Sequence, residues 1–343
     1  MKNLIITLFV VASMLSCKKN NTPVPTPTPT PTPVPTPPPA AVVPLFALTS
    51  AWKYSNTLSA NYPNSVQVYT YDSIFAGRPT KAFCLAYDSR NTTIDFKPVL
   101  SATAKTVSSF YSAETGTVYG AINGGYYGGN QSFSLVEYNN VVGSANIKVL
   151  NRDLNGVSTP YYPTRAAFGV TALGVPSVAW VYSIGAGNDN VYAYPTVSPN
   201  VLNSPPQAQP TASFPSGGMP WATVSAIGGS PMLLYNGVIT ITDAAELISI
   251  NNTTSRPRSA IGYNSNGIVC LVAVEGDNTT SGIVGMNLAE LATMMQSLTC
   301  TNAINLDGGG SSSLVIKNQL TIRPGDAGGQ ERPVVSAVVI KQR

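Results

Sequence analysis

The chain has 343 residues with a formal net charge of +4; 43% are hydrophobic, only 10% are charged, and none is histidine. The lack of histidine excludes Ser-His-Asp and Cys-His triads, the usual zinc ligand sets and imidazole proton shuttles, so hydrolysis would have to rest on other side chains or an oxygen-held metal. No basic run exceeds Lys18-Lys19, which leaves nucleic acid without a footprint, and 29 Gly, 28 Pro and 17 Tyr favour strands and turns over long helices.

Residues 1–16 read as an export signal: Lys2 supplies the charge and residues 4–15 an apolar stretch. That stretch is short of the roughly 20 residues a membrane span needs. Ser16-Cys17 then places a small residue before a cysteine, as in a bacterial lipoprotein signal, which makes Cys17 the expected lipid attachment site. Residues 17–42 form a linker whose 22–40 run alternates proline with threonine or valine. Such a run favours polyproline II, at roughly 3.1 Å per residue on the order of 60 Å long. The expected location is the bacterial membrane, by a lipid anchor, facing the periplasm or the outer surface.

From 43 to 343 the composition is that of a single large domain. Short alternating or apolar runs bounded by Gly, Asn, Asp or Pro predict strands near 65–71, 81–87, 117–122, 145–150, 166–171, 178–182, 267–275 and 334–340. One helix is predicted over 287–300. There Asn287 and Glu290 form a capping box, and Leu288, Leu291, Met294, Met295 and Leu298 recur at helical spacing. A weaker helix is predicted at 243–247, and the Pro- and Ser-rich 197–219 segment reads as a long surface loop. The predicted class is α+β: mixed β-sheets with a few packing helices. Cys84, Cys270 and Cys300 allow at most one internal disulfide; the simplest reading is buried thiols, with Cys270–Cys300 the pair to test.

Four segments look too polar or too glycine-rich for ordinary core. In 121–127 (AINGGYY), Asn123 could orient a sugar hydroxyl, Gly124 and Gly125 admit a close ligand, and Tyr126 or Tyr127 stack on a sugar; a packed hairpin is the alternative. In 304–313 (INLDGGGSSS), Asp307 opens a loop whose Gly308, Gly309, Gly310, Ser311 and Ser312 N–H groups could cradle an anion. In 256–262 (RPRSAIG), Arg258 could fork a phosphate, and Glu275 at the end of the next strand could face the same cleft. Arg332 could be a further phosphate ligand or the partner of Glu331 or Asp326.

Taken in order, AINGGYY (121–127), RAAFG (165–169), AIGGSPML (226–233), RPRSAIG (256–262), the 286–315 run and ERPVVSAVV (331–339) resemble the phosphodiester glycosidase family. The resemblance implies a hydrolase that cleaves a sugar-1-phosphodiester of the N-acetylhexosamine type, releasing the sugar and leaving a phosphomonoester. Asp307 and Glu275 become the carboxylate candidates, and Arg258, Arg332 and the 308–312 backbone the phosphate ligands, with Asn123, Gly124 and Gly125 near the sugar. Glu275 stands where the family often has Asp, and 43–110 carry no family motif. The expected partner is a glycan bearing a sugar phosphodiester. No cofactor or metal site is implied, although a divalent cation stays open. Two other readings use the same residues: a non-catalytic lectin for phosphorylated glycans, and a metal-dependent phosphodiesterase.

Overall fold

The computed structural model describes residues 42–343, and Val42–Arg343 form one compact unit. The signal segment, Cys17 and the 22–40 run lie outside the described residues. The described strands gather into sheets of eight, seven and five strands with two small ribbons. Every ladder among them runs antiparallel. Three α-helices accompany the sheets, so the class is α+β and the domain is single.

One face of each large sheet turns toward a shared core. Val68, Leu85, Ile261 and Leu271 come from the eight-stranded sheet, Phe168 and Ile227 from the seven-stranded one, and Ile122 and Val338 from the five-stranded one. The alternation that predicted strands explains this. Along Val66–Phe75, Val66 and Val68 enter the shared core while Tyr69 and Tyr71 enter a second cluster on the other side. That strand turns into Arg78–Asp88 through Ala76 and Gly77, both at positive φ, the two-residue loop that matches strand twist.

The predicted helix is Leu288–Ser297, with both bonds of the Asn287–Glu290 capping box formed. Its apolar stripe covers the outer face of the eight-stranded sheet, and Glu290 also accepts Arg78 Nη2 at 2.7 Å. Cys84, Cys270 and Cys300 lie free and buried in the same cluster.

Two sequence expectations change, and one strand goes unforeseen. Only Leu150 of 145–150 is in a strand. Asn146 Oδ1 accepts Leu135 N at 2.8 Å, so a side-chain amide takes the place of a backbone ladder. Residues 243–247 make a single turn that ends at Leu247 in the left-handed region, so no helix propagates. Strand Ile94–Lys105 carries little signal, because its apolar residues give way to Ser, Thr and Ala after Leu100. The 197–219 segment is tied to the two-stranded ribbon by Tyr161 to Ser204 O and to the seven-stranded sheet by Tyr194 to Thr211 O.

Two polar joints hold the sheets together. The first is where strand Ser225–Gly228 of one sheet passes into Met232–Tyr235 of another. A Cβ on Gly229 would collide with the Asn305 carbonyl, so only glycine allows this approach. The fully buried Glu246 carboxylate receives Ala166 N, Met232 N, Trp180 Nε1, Ser230 Oγ and Thr242 Oγ1 at 2.5–3.1 Å. The second joint is Asn123, also fully buried. Its Oδ1 accepts Ser259 Oγ at 2.7 Å and Ser313 N at 3.1 Å, and its Nδ2 donates to Asp307 O at 2.8 Å and Gly124 O at 3.1 Å.

Unsatisfied buried groups cost about 1–3 kcal/mol each. Glu246→Gln sets an NH2 group against donors, and a loss of about 3 kcal/mol in urea unfolding is expected. Asn123→Ala strands several groups at once and should cost at least as much; an unchanged urea midpoint in either variant would contradict the joint assigned to it.

Candidate functional site

Strand Asn302–Asn305 ends at the seam between the eight- and five-stranded sheets. Leu306 N donates to Ser259 O and Asp307 N to Gly124 O, so the chain stays tied to both sheets as it leaves the strand. Residues 307–310 then form one side of a cleft of 360 Å³. Gly309 takes φ +59, and a Cβ on Gly310 would collide with Asp326 and Arg332. Here the consecutive glycines serve a left-handed turn and a close approach.

Asp307 sits at the base of this cleft. Its Oδ1 accepts Gly308 N at 2.9 Å. Burial pushes the carboxyl up to about 6, against the lowering effects of Ser311, Gly308 N–H and the Arg332 charge. The Ser311 hydroxyl lies close enough to exert that effect yet makes no hydrogen bond of good geometry. Ser311 and Ser312 are fully buried with unpaired hydroxyls, and neither lines the cleft.

The anticipated anion cradle is largely occupied. Gly308 N bonds Asp307, Gly309 N bonds Pro257 O, Ser311 N bonds Gly308 O and Ser312 N bonds Gly309 O. The loop is thus a frame closed by its own hydrogen bonds, not an open row of donors.

The expected sugar contacts are likewise internal. Asn123 has all four of its hydrogen-bonding positions filled, so it orients the Asp307 loop and not a sugar hydroxyl. Gly124 and Gly125 are small because Ser336 and Ser134 with the Gly228 carbonyl occupy the space where a Cβ would be. The Tyr126 hydroxyl donates to Ser230 O at 2.5 Å and accepts Asn305 Nδ2 at 2.7 Å. Burial first, then Asp307, holds it well above the usual phenol range. Tyr127 is half-buried, and its hydroxyl donates to Pro333 O at 2.7 Å.

Arg258 lines the cleft but is only 1% exposed. Its Nε donates to Met286 O at 3.0 Å, and its Nη2 to Asn251 O at 2.8 Å and Thr254 O at 3.0 Å. It secures the 250–254 wall, with little left for a phosphate. Arg332 forms a two-pronged pair with Asp326, Nε to Oδ2 at 2.8 Å, which is the ion-pair alternative of the sequence. Glu331 instead accepts Ser108 N at 2.9 Å.

Glu275 does not line the cleft. It is 3% exposed, accepts Asn278 Nδ2 at 2.8 Å and Arg323 N at 3.1 Å, and so braces two loops from beneath. Two positions on, Asp277 does line the cleft, exposed and at φ +50. Gly276 lets the chain swing between them, packed so closely on Pro257 that a Cβ would lie 2.5 Å from its nitrogen. The strand ends at Val274, and nothing in the sequence reports that reversal. Arg256, inside the 256–262 motif, is a further lining residue that the sequence does not separate from Arg258. Asp277, Asp307 and Asp326 line one cleft, yet among the described residues they do not converge as a metal-ligand set.

Comparison with known proteins agrees with this architecture. The chain is 34% identical over 113 residues to the bovine N-acetylglucosamine-1-phosphodiester alpha-N-acetylglucosaminidase, covering 30% of this chain and 21% of that one. The human protein of the same name gives the same identity and coverage. The chain thus spans about a fifth of the length of the curated relatives it matches. Among solved structures, the zebrafish N-acetylglucosamine-1-phosphodiester alpha-N-acetylglucosaminidase catalytic domain, auto-inhibited by its pro-peptide, superposes with a TM-score of 0.53 at 17% identity. That match covers 85% of this chain and 88% of the other. A hypothetical protein from Synechocystis gives a TM-score of 0.55 at 19% identity, covering 82% and 63%. These likenesses concern the fold. The phosphodiester glycosidase family model matches residues 116–341, about two thirds of the sequence and all of the cleft, and the chain belongs to that family.

Proposed function

We propose that this protein hydrolyses the bond between a sugar's anomeric carbon and the phosphate of a phosphodiester, releasing the sugar and leaving a phosphomonoester. The observation that carries the reading is Asp307, a carboxylate raised to about 6 at the base of a cleft flanked by arginines. The relatives' name, N-acetylglucosamine-1-phosphodiester alpha-N-acetylglucosaminidase, supports an N-acetylhexosamine as the sugar.

A phosphate leaving group needs little protonation, so a strong general acid is dispensable in a chain without histidine. What remains is to stabilise an oxocarbenium-like centre and to deliver water. Asp307 in its ionised form serves the first need, as nucleophile or counter-charge. Asp277 supplies the second carboxylate of the cleft, the part the sequence had given to Glu275. The export signal and tether expected in residues 1–42 would present this activity at the cell envelope.

Phosphorus NMR of the protein with N-acetylglucosamine-1-phospho-6-mannoside tests the reading: a phosphomonoester and free N-acetylglucosamine should appear. A diester that binds but stays intact for days would indicate a lectin. Product with phosphate on the released N-acetylglucosamine, or loss in chelator, would indicate a phosphodiesterase. Asp307→Asn should lower kcat at least ~100-fold, the scale of losing a principal electrostatic contributor. Asp277→Asn should slow turnover with folding intact, whereas Glu275→Gln should lower Tm.

The pH dependence follows from the raised carboxyl. With the ionised form active, kcat/KM should climb between pH 5 and 7 with an apparent midpoint near 6. The same shift favours the protonated native state, so ionising Asp307 costs stability once pH exceeds its unfolded value, and in full above about 6. Asp307→Asn should therefore raise Tm at pH 8 by about 2–4 °C, after discounting for partial exposure, and the gain should vanish below about pH 4. A pH-independent rate, or no gain at pH 8, would contradict the raised carboxyl.

A further inference from the structure

Three guanidinium groups line the cleft, and two of them are engaged. Arg258 is held by the carbonyls of Asn251, Thr254 and Met286, and Arg332 is held by Asp326. Arg256 lines the same cleft, partly exposed, and its side chain makes no hydrogen bond or ion pair among the described residues.

The backbone beneath Arg256 is clamped. Its N–H donates to Met286 O at 3.2 Å, and its carbonyl accepts Met286 N at 2.9 Å. Gly285, at φ +92, approaches so closely that a Cβ would collide with the Arg256 carbonyl. On the other side, a Cβ on Gly276 would lie 2.7 Å from the Arg256 carbonyl carbon. Pro257 follows and fixes its own φ. Two glycines and a proline thus anchor one residue whose side chain is unoccupied.

We infer that Arg256 is the anion-recognising residue of the cleft, offering its guanidinium fork to two oxygens of a sugar-bound phosphate and so selecting phosphodiesters over neutral glycosides. The assignment of the sugar rests on the glycosidase reading; the anion contact does not require turnover. Arginine suits the task because its planar fork matches two phosphate oxygens, where lysine presents a point charge. Because the backbone is already fixed, the ordering that accompanies binding is confined to the side chain.

Isothermal titration of the protein with N-acetylglucosamine-1-phosphate, and separately with N-acetylglucosamine, tests this. Arg256→Gln should weaken the sugar phosphate about ten- to a hundredfold, the range of one charge-assisted contact, leaving N-acetylglucosamine and Tm unchanged. Arg256→Lys should fall between wild type and Arg256→Gln. Unaltered sugar phosphate binding by Arg256→Gln would overturn the inference and leave the glycosidase reading standing. Parallel weakening of both ligands with a lowered Tm would overturn it in favour of a structural role. A wild-type protein indifferent to the phosphate would overturn it as well. Conversely, Arg256-dependent binding without turnover of any diester would refute the glycosidase reading and leave Arg256 as the anion contact.

Discussion

A buried primary amide has two donor and two acceptor positions to fill, and Asn123 fills them with partners from separate stretches of chain. Through Ser259 it reaches the eight-stranded sheet, through Ser313 the five-stranded one, and through the Asp307 carbonyl the loop that carries the carboxylate. Aspartate would have no donor for the two carbonyls, and a shorter side chain would not bridge the seam. The position of Asp307 therefore depends on an amide that lies out of the cleft.

The loop following Asp307 extends the same logic. Its N–H groups are tied to Asp307, Pro257 and the loop's own carbonyls, and Gly310 leaves room for the Asp326–Arg332 pair. Little of this frame can shift without breaking several bonds together. The half-buried carboxyl is consequently held in place among these groups, and its partial desolvation there raises its pKa. Beside the loop, Arg258 performs a comparable service, binding carbonyls around Asn251, itself in the left-handed region.

Much of the framework was legible in the sequence, and the reason is local. Alternation along Val66–Phe75 is a pattern of residue types two apart and the Asn287–Glu290 capping box one of residues three apart, so residue spacing reports them. Residues from three of the motifs line one cleft, but several side chains singled out in them are engaged by the protein itself. Asn123, Arg258 and Glu275 have the chemistry of ligands, yet their partners stand 1 to 190 positions away and absorb that chemistry. Residue type announces what a side chain could bind; only the fold shows whether something already does. Asp277 and Arg256 were overshadowed by Glu275 and Arg258 two positions away, because the reversal at Gly276 and the clamp on Arg256 depend on distant backbone.

The closed hydrogen bonding of the glycine loop has a consequence for how such a site diversifies. Residues inside the frame constrain one another, so a change in one demands changes in several. The wall side chains at Asn251, Arg256 and Asp277 project from backbone that is fixed by other groups, and they are tied to few neighbours of their own. Substitutions there alter what enters the cleft and leave the carboxylate where it is. Under the proposed function, a lineage could thus exchange one ligand for another through a handful of replacements at the rim, while the carboxylate beneath is inherited in place.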